Sequence, residues 1–116
     1  MLNELAKAAL NRHSLELRQY VLNLSSAYPD FGVIPEPIFD SPMHRTTAGA
    51  ILELLAERRG QEAPAWTTTV AALPMPFYLL ESALTMPRLK VLCETQSPLP
   101  LRRRGLFAPP QFLESA

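Results

Sequence analysis

The chain has 116 residues, the length of one ordinary domain, and 47% of them are apolar, which is enough to form a buried core. Eleven basic residues balance eleven acidic ones, so the net charge excludes a general attraction to nucleic acid or to a membrane surface. No apolar run approaches the ~20 residues of a membrane-spanning helix, and the first residues lack the pattern of a signal peptide. We therefore expect a single domain over residues 1–116 that is located in the cytoplasm and does not enter a membrane.

The first part of the chain predicts two helices. Apolar residues recur at helical spacing over residues 2–10, and a second stripe of this kind begins at Leu17. Ser14 lies between the stripes in a position to cap the second helix, which we expect to end before Pro29 because proline disfavours helical backbone at the residue before it. One long helix is the alternative, since His13 itself falls on the stripe.

A linker rich in proline and apolar residues separates these helices from a third. We expect the linker, residues 29–42, to lie across the core as extended chain. Thr46 or Thr47 can cap the third helix, which is expected to end near Arg59, with Gly60 as the terminating residue. The threonine-rich run that follows is expected to form a loop or a single turn.

The last part of the chain predicts short elements. Pro87 suits the first turn of a further helix, and a short helical turn is expected to begin at Ser97 and to end at Gly105. A short apolar segment before the Pro87 helix has Phe77, Leu80 and Leu84 on one side, and the helix itself is expected to bury Met86, Leu89, Leu92 and Cys93. The overall expectation is an all-α fold, a compact bundle of five or six short helices joined by proline-rich loops.

The sequence does not contain the residue patterns of the common catalytic and metal sites. Cys93, the single cysteine, excludes an internal disulfide and lies on an apolar stripe, where a thiol is usually inert. His13 and His44 do not belong to a recognisable ligand cluster, and four glycines do not form a phosphate-binding loop. We therefore predict no catalytic residue, no metal site and no cofactor. A small enzyme that uses Cys93 or a histidine is an alternative.

Two features stand out as candidate binding residues, namely Trp66 and the run Arg102, Arg103 and Arg104. A tryptophan anchors an interface when it is exposed and stabilises a core when it is buried. Arginine binds carboxylate or phosphate in a two-pronged manner, but neighbours on a helix are about 100° apart, so at most two of the three can serve one ligand. The alternative is that one arginine packs internally while the others are solvated.

Two landmarks of the sequence carry a resemblance to a family. The first is Pro64-Ala65-Trp66-Thr67, and the second runs from Ser97-Pro98 to Arg102-Arg103-Arg104-Gly105-Leu106-Phe107. Together they resemble a group of small bacterial proteins of about this length, over roughly residues 50–113, some of which accompany genes for nucleotidyltransferase-like toxins. The resemblance implies an antitoxin-like partner of such a toxin, and it supplies no catalytic residue.

The function predicted from the sequence is that of a non-catalytic protein-binding module. Its surface would combine Trp66 as an aromatic anchor with Arg102, Arg103 and Arg104 at a polar rim, and would cover the active site of a toxin. A DNA-binding regulator is the alternative, although no predicted helix has an exposed face that is basic along its length. Self-association into a homo-oligomer is a further alternative.

Overall fold

Five α-helices are the main regular elements of residues 1–114, the part of the chain that the structure, a computed structural model, describes. The helices are α1 (Leu2–Leu10), α2 (Ser14–Ala27), α3 (Pro42–Arg58), α4 (Pro87–Gln96) and α5 (Leu99–Arg102). Two short strands, β1 (Phe77–Tyr78) and β2 (Leu106–Phe107), and three short 3₁₀ turns complete the described fold. The prediction of a mostly helical protein is therefore confirmed.

Two helices form at the N-terminus because the chain turns sharply at Arg12. This residue has left-handed backbone, with φ of 57°, which ends α1 and redirects the chain. The prediction that Ser14 caps α2 is wrong, because Ser14 is already the first helical residue and His13 occupies the cap position. Instead, the His13 ring nitrogen Nδ1 lies 3.0 Å from a carboxylate oxygen of Glu16 in the first turn.

The linker between α2 and α3 lies on the core at some of its residues only, and in its second half Phe39 packs partly buried against the core. Phe31 and Ile34 are buried, and the side chain of Asp30 accepts a hydrogen bond from Gly32 N–H at 2.9 Å, which fixes a 3₁₀ turn there. Ile38 is 96% exposed, so the expectation that the whole linker covers the core is wrong at this residue.

The central helix α3 begins earlier than predicted. The hydroxyl of Ser41 caps it by accepting a hydrogen bond from His44 N–H at 3.2 Å, and Pro42 is in the first turn. Capping by Thr46 or Thr47 is therefore wrong, because Ser41-Pro42 already supplies a cap and a proline suited to a helix start. All residues from 46 to 52 are buried, so other elements enclose this part of α3 on every side.

A close approach of residues 65–70 explains the glycine in the middle of α3. A Cβ atom at Gly49 would lie 3.0 Å from Cγ1 of Val70 and 3.7 Å from Cζ3 of Trp66. The 3₁₀ turn Ala65–Thr69, called the 65–69 turn below, packs directly on the helix here. A side chain at position 49 would push this turn away from α3.

A parallel strand pair, absent from the all-α prediction, attaches the last third of the chain to the core. Phe77 is opposite Leu106 and Tyr78 is opposite Phe107. The N–H of Phe77 donates to Gly105 O and the N–H of Leu79 donates to Phe107 O, both at 2.9 Å. Strands of two residues are too short to show an alternating pattern, so only the tertiary structure reveals them.

The helix α4 is buried less deeply than its apolar pattern predicts. It begins at Pro87 as expected and buries Cys93, whereas Leu89 and Leu92 are only half-buried. The predicted burial of Met86 is wrong, since this residue is 55% exposed, and Leu84 just before it is 52% exposed. The physical reason is that α4 packs chiefly on the short 3₁₀ turn Glu81–Leu84, which covers little of its surface.

One cluster of buried side chains forms the core of the described residues. It draws on α1, α2, α3, α5 and β2, from Leu2 near the N-terminus to Ala108 near the C-terminus. In residues 1–114 we find no helix with both the length and the apolar character required to cross a bilayer.

Candidate functional site

Arg104 is buried where three elements meet. Its side chain is 6% exposed, and its Nη1 donates to the carbonyl of Pro100 at 2.9 Å. Its Nη2 donates to the carbonyl of Thr67 at 2.9 Å and lies 2.6 Å from a carboxylate oxygen of Glu53 on α3. Burial lowers the pKa of this guanidinium, because the charged form loses hydration. Arg104 therefore holds α5, the 65–69 turn and α3 together, which matches the alternative of one internally packed arginine.

The other two arginines of the run point to different neighbours. Arg103 is about half exposed and forms an ion pair with the second carboxylate oxygen of Glu53. Arg102 is exposed and its Nη1 donates to the carbonyl of Thr95 at 2.7 Å, at the end of α4. The structure thus brings Arg103 and Arg104 together on one carboxylate and directs Arg102 elsewhere, as the angular spacing of helical neighbours requires.

Trp66 is half-buried and fixes the 65–69 turn to the linker. Its indole Nε1 donates to the carbonyl of Ile34 at 3.1 Å, and its ring is tilted against that of Phe39 with 5.8 Å between centroids. Among the contacts of residues 1–114, none joins the indole to an arginine side chain; Arg104 reaches only the backbone of the next residue, Thr67. Packing of the turn is the role that this geometry supports for Trp66.

An open apolar groove lies between the first turn of α3 and residues 71–77. Its volume is about 590 Å³, and it is lined by uncharged side chains throughout. We call it the Met75 groove and define it by Pro42, Met43, Ala72, Met75 and Phe77. Met75 is 75% exposed and Met43 is 39% exposed, so both thioether side chains are accessible from solvent.

A separate polar hollow adjoins the Met75 groove and is lined in part by the arginine pair. The hollow is lined by Thr68, Val70, Ala72, Arg103 and Arg104, and Ala72 borders both the hollow and the groove. At this end two guanidinium groups share the single carboxylate of Glu53. The apolar groove therefore ends at a rim with an excess of positive charge.

The backbone beside the groove is unsuited to binding an added strand. Leu73 N–H donates to Arg104 O at 2.9 Å, so this donor is already used inside the fold. Pro74 and Pro76 have no N–H, and the carbonyl of Tyr78 accepts a hydrogen bond from Arg12 Nε at 2.9 Å. A ligand of the groove would therefore be held by side-chain contacts rather than by strand pairing.

Sequence reasoning missed the Met75 groove. Its lining comes from two segments that are about thirty residues apart, and neither segment has an apolar period that would indicate an exposed site. The one available signal is the sequence Pro74-Met75-Pro76, which places a large apolar side chain between two residues that disfavour regular structure.

Cys93 and His13, two of the residues considered for catalysis, occupy ordinary structural positions, whereas the buried Nδ1 of His44 has no hydrogen-bond partner among the described residues. Cys93 is buried, and burial raises the pKa of its thiol, which disfavours the reactive thiolate. The imidazole of His13 pairs with Glu16, as described above. Within residues 1–114 no group of three His, Cys, Asp or Glu side chains is close enough to hold a metal ion.

Comparison of the chain with protein-family models, with curated proteins and with solved structures finds no significant match.

Proposed function

We propose that this protein is a non-catalytic protein-binding module that docks its partner in the Met75 groove with Arg103 at the rim. The observation that carries the proposal is an uncharged groove of about 590 Å³ that adjoins, at Ala72, a hollow lined by the cationic Arg103 and Arg104. Protein interfaces combine an apolar centre with a polar rim, and methionine adapts its shape to different partners. The partner segment would present apolar side chains followed by a carboxylate that meets Arg103.

The partner we propose is a nucleotidyltransferase-like toxin, as the resemblance to antitoxin-like proteins implies. The mechanism would be occlusion in the cytoplasm: the groove would hold a segment beside the active site of the toxin and block substrate entry. In this proposal Trp66 acts indirectly, by fixing the 65–69 turn that leads into the hollow. Arg104 supports the rim from inside the fold, and Arg103 makes the contact.

The test is capture of partners by a tagged protein, with identification by mass spectrometry and affinity measurement on purified components. Met75→Glu places a charge in the groove at a residue that is 75% exposed, so folding should be unchanged and affinity should fall about tenfold or more. Val91→Glu, on α4 and 59% exposed, is the matched control. Arg103→Ala should weaken the complex and reduce its salt dependence, whereas Arg102→Ala should change neither.

The possible outcomes separate the candidate functions. A stoichiometric nucleotidyltransferase-like protein that is lost with Met75→Glu and kept with Val91→Glu supports both the groove and the partner. Equal affinity of wild type and folded Met75→Glu would exclude the groove as the docking surface. Capture of the protein alone would favour self-association, and a salt-sensitive gel shift of its own promoter would favour a DNA-binding regulator.

A further inference from the structure

A second cavity lies where the turn between α1 and α2 meets the C-terminal residues 109–113. Its volume is about 200 Å³, and we call it the Arg12 cavity. Its floor is apolar and buried, and consists of Ala8, Ala9, Leu17, Leu79 and Pro109. A smaller apolar cavity of ~150 Å³ is known to bind benzene, so a space of this size accepts a phenyl ring or a short alkyl chain.

Two arginines border the Arg12 cavity, and its lining contains no acidic residue. The Nε of Arg12 donates to Tyr78 O at 2.9 Å, and its guanidinium carbon lies 4.7 Å from the centroid of the Phe77 ring. These contacts fix the side chain, and its two terminal nitrogens have no hydrogen-bond partner among residues 1–114. Arg18 is exposed and forms no ion pair in the same part of the chain. The cavity therefore combines an apolar floor with two available cations.

The walls of the Arg12 cavity are held in an uncommon backbone conformation. Arg12 and Leu113 both line the cavity and both have positive φ, 57° and 58°. Residues other than glycine rarely adopt this conformation, and such residues cluster at binding sites. Residues 109–113 form one wall of the cavity, and Arg58 at the end of α3 holds this wall in place. Its guanidinium donates to the carbonyl of Pro110 at 3.1 Å and to the carbonyl of Phe112.

We propose that the Arg12 cavity binds a small monocarboxylate with an apolar body, of the size of phenylpropionate or octanoate. The apolar body fills the floor, and the carboxylate meets Arg12 and Arg18. Charge complementarity selects this class of ligand, because a neutral molecule would leave both guanidinium groups unused and a cation would be repelled. The Arg12 cavity and the Met75 groove share no lining residue, although Arg12 packs on Phe77, and the ligand proposed here does not rest on the proposed function.

The test is titration of the protein with phenylpropionate and with its uncharged amide, followed by calorimetry or ligand-observed NMR. The acid should bind about tenfold more tightly than the amide, and added salt should weaken only the acid. Arg18→Gln should reduce the preference for the acid over the amide several-fold, the remainder being due to Arg12, and Arg18→Lys should restore part of the loss. Ala8→Leu, which fills the floor, should abolish binding of both compounds.

Two controls keep the result interpretable. Arg18 is exposed, so an effect of Arg18→Gln is measured on a folded protein even if the buried substitution Ala8→Leu prevents folding. Met75→Glu should leave binding of the acid unchanged, which separates this site from the groove. Equal affinities for acid and amide would overturn the assignment of a carboxylate ligand. Failure of the wild-type protein to bind either compound at millimolar concentration would overturn the site.

Discussion

At the scale of single residues, Arg104 connects parts of the chain that are distant in sequence. Its partners Glu53 and Thr67 are 51 and 37 residues away. A buried cation is tolerated when a counter-charge and hydrogen-bond acceptors surround it, and here one carboxylate and two carbonyls do so. Only Nε remains without a partner among the described residues. The stability of the fold should therefore depend strongly on this one side chain.

We expect Arg104→Ala to lower the free energy of unfolding by about 3 kcal/mol or more, since it removes the buried partner of Glu53 and leaves two carbonyls unbonded. Arg102→Ala is the control from the same run, and because Arg102 is exposed its effect should stay within about 0.5 kcal/mol. Urea denaturation monitored by circular dichroism measures both. Similar small losses for the two variants would contradict a structural role for Arg104.

Cys93 should make the stability of the protein depend on pH in the alkaline range. Burial raises the pKa of the Cys93 thiol above the ordinary value of 9.0. As the pH rises above this ordinary value, the unfolded chain therefore loses the thiol proton before the folded protein does. The stabilisation is complete below about pH 9 and is lost as the pH rises further. Urea midpoints between pH 8 and 10.5 should therefore fall, and Cys93→Ala should flatten this fall.

Alkylation gives an independent measure of the same residue. Iodoacetamide should modify Cys93 slowly at pH 8 in the native protein and rapidly in urea, because the thiol is buried. Rapid labelling of the native protein would contradict the burial and would revive the alternative of a cysteine-dependent enzyme.

At the scale of elements, Ser97 fixes the end of α4 to the strand region. Its Oγ accepts a hydrogen bond from Ala108 N–H at 2.9 Å, and its hydroxyl is within donating distance of the carbonyls of Cys93 and Ala108. This side chain is buried, and it does not cap α5, whose cap position is occupied by Pro98. Ser97 thus serves as a link between two segments rather than as the helix start that its position before a proline predicts.

Ser97→Ala should destabilise the protein by about 1–3 kcal/mol, because the N–H and C=O of Ala108 lose a buried partner. Ser26→Ala, at an exposed position near the end of α2, is the matched control and should change stability by about 0.5 kcal/mol at most. Thermal unfolding measures both variants. Hydrogen exchange should show faster exchange of the Ala108 amide in Ser97→Ala alone, and unchanged exchange there would contradict the link.

At the scale of the whole molecule, the single core cluster predicts cooperative unfolding. Its members extend from α1 to Ala108, so α1, α2, α3 and α5 cannot leave it without exposing part of the same core, whereas α4 contributes no residue to it. Trp66 lies at the edge of this cluster, and its fluorescence therefore reports on tertiary packing. Circular dichroism reports on the helices, which lie mostly in other parts of the chain.

We expect the fluorescence of Trp66 and the far-ultraviolet circular dichroism to give coincident transitions in urea, as two-state unfolding requires. The measurement needs no substitution, because this is the only tryptophan in the chain. A fluorescence transition at lower urea than the dichroism transition would show that the 65–69 turn separates before the helices do, and would contradict a single domain over residues 1–116.

The sequence by itself determined where most helices form. The stripes over residues 2–10 and from Leu17 onward predict α1 and α2, and Gly60, with φ of 66°, follows the end of α3 as its position predicts. These features are local, since a helix joins residues four apart and its ends are set by the nearest side chains. The same locality explains why Pro87 correctly indicated the start of α4.

Only the tertiary structure decided the strand pair, the burial of Arg104 and the Met75 groove. Each of these joins segments that are widely separated in sequence: Phe77 pairs with Leu106, Arg104 reaches Glu53, and Met43 faces residues 71–77. In the sequence the three arginines of the run are equivalent. In the fold, Arg104 is buried against Glu53, Arg103 is half exposed beside the same carboxylate, and Arg102 is exposed. They differ because successive residues of a helical turn point in different directions, so each side chain meets different neighbours.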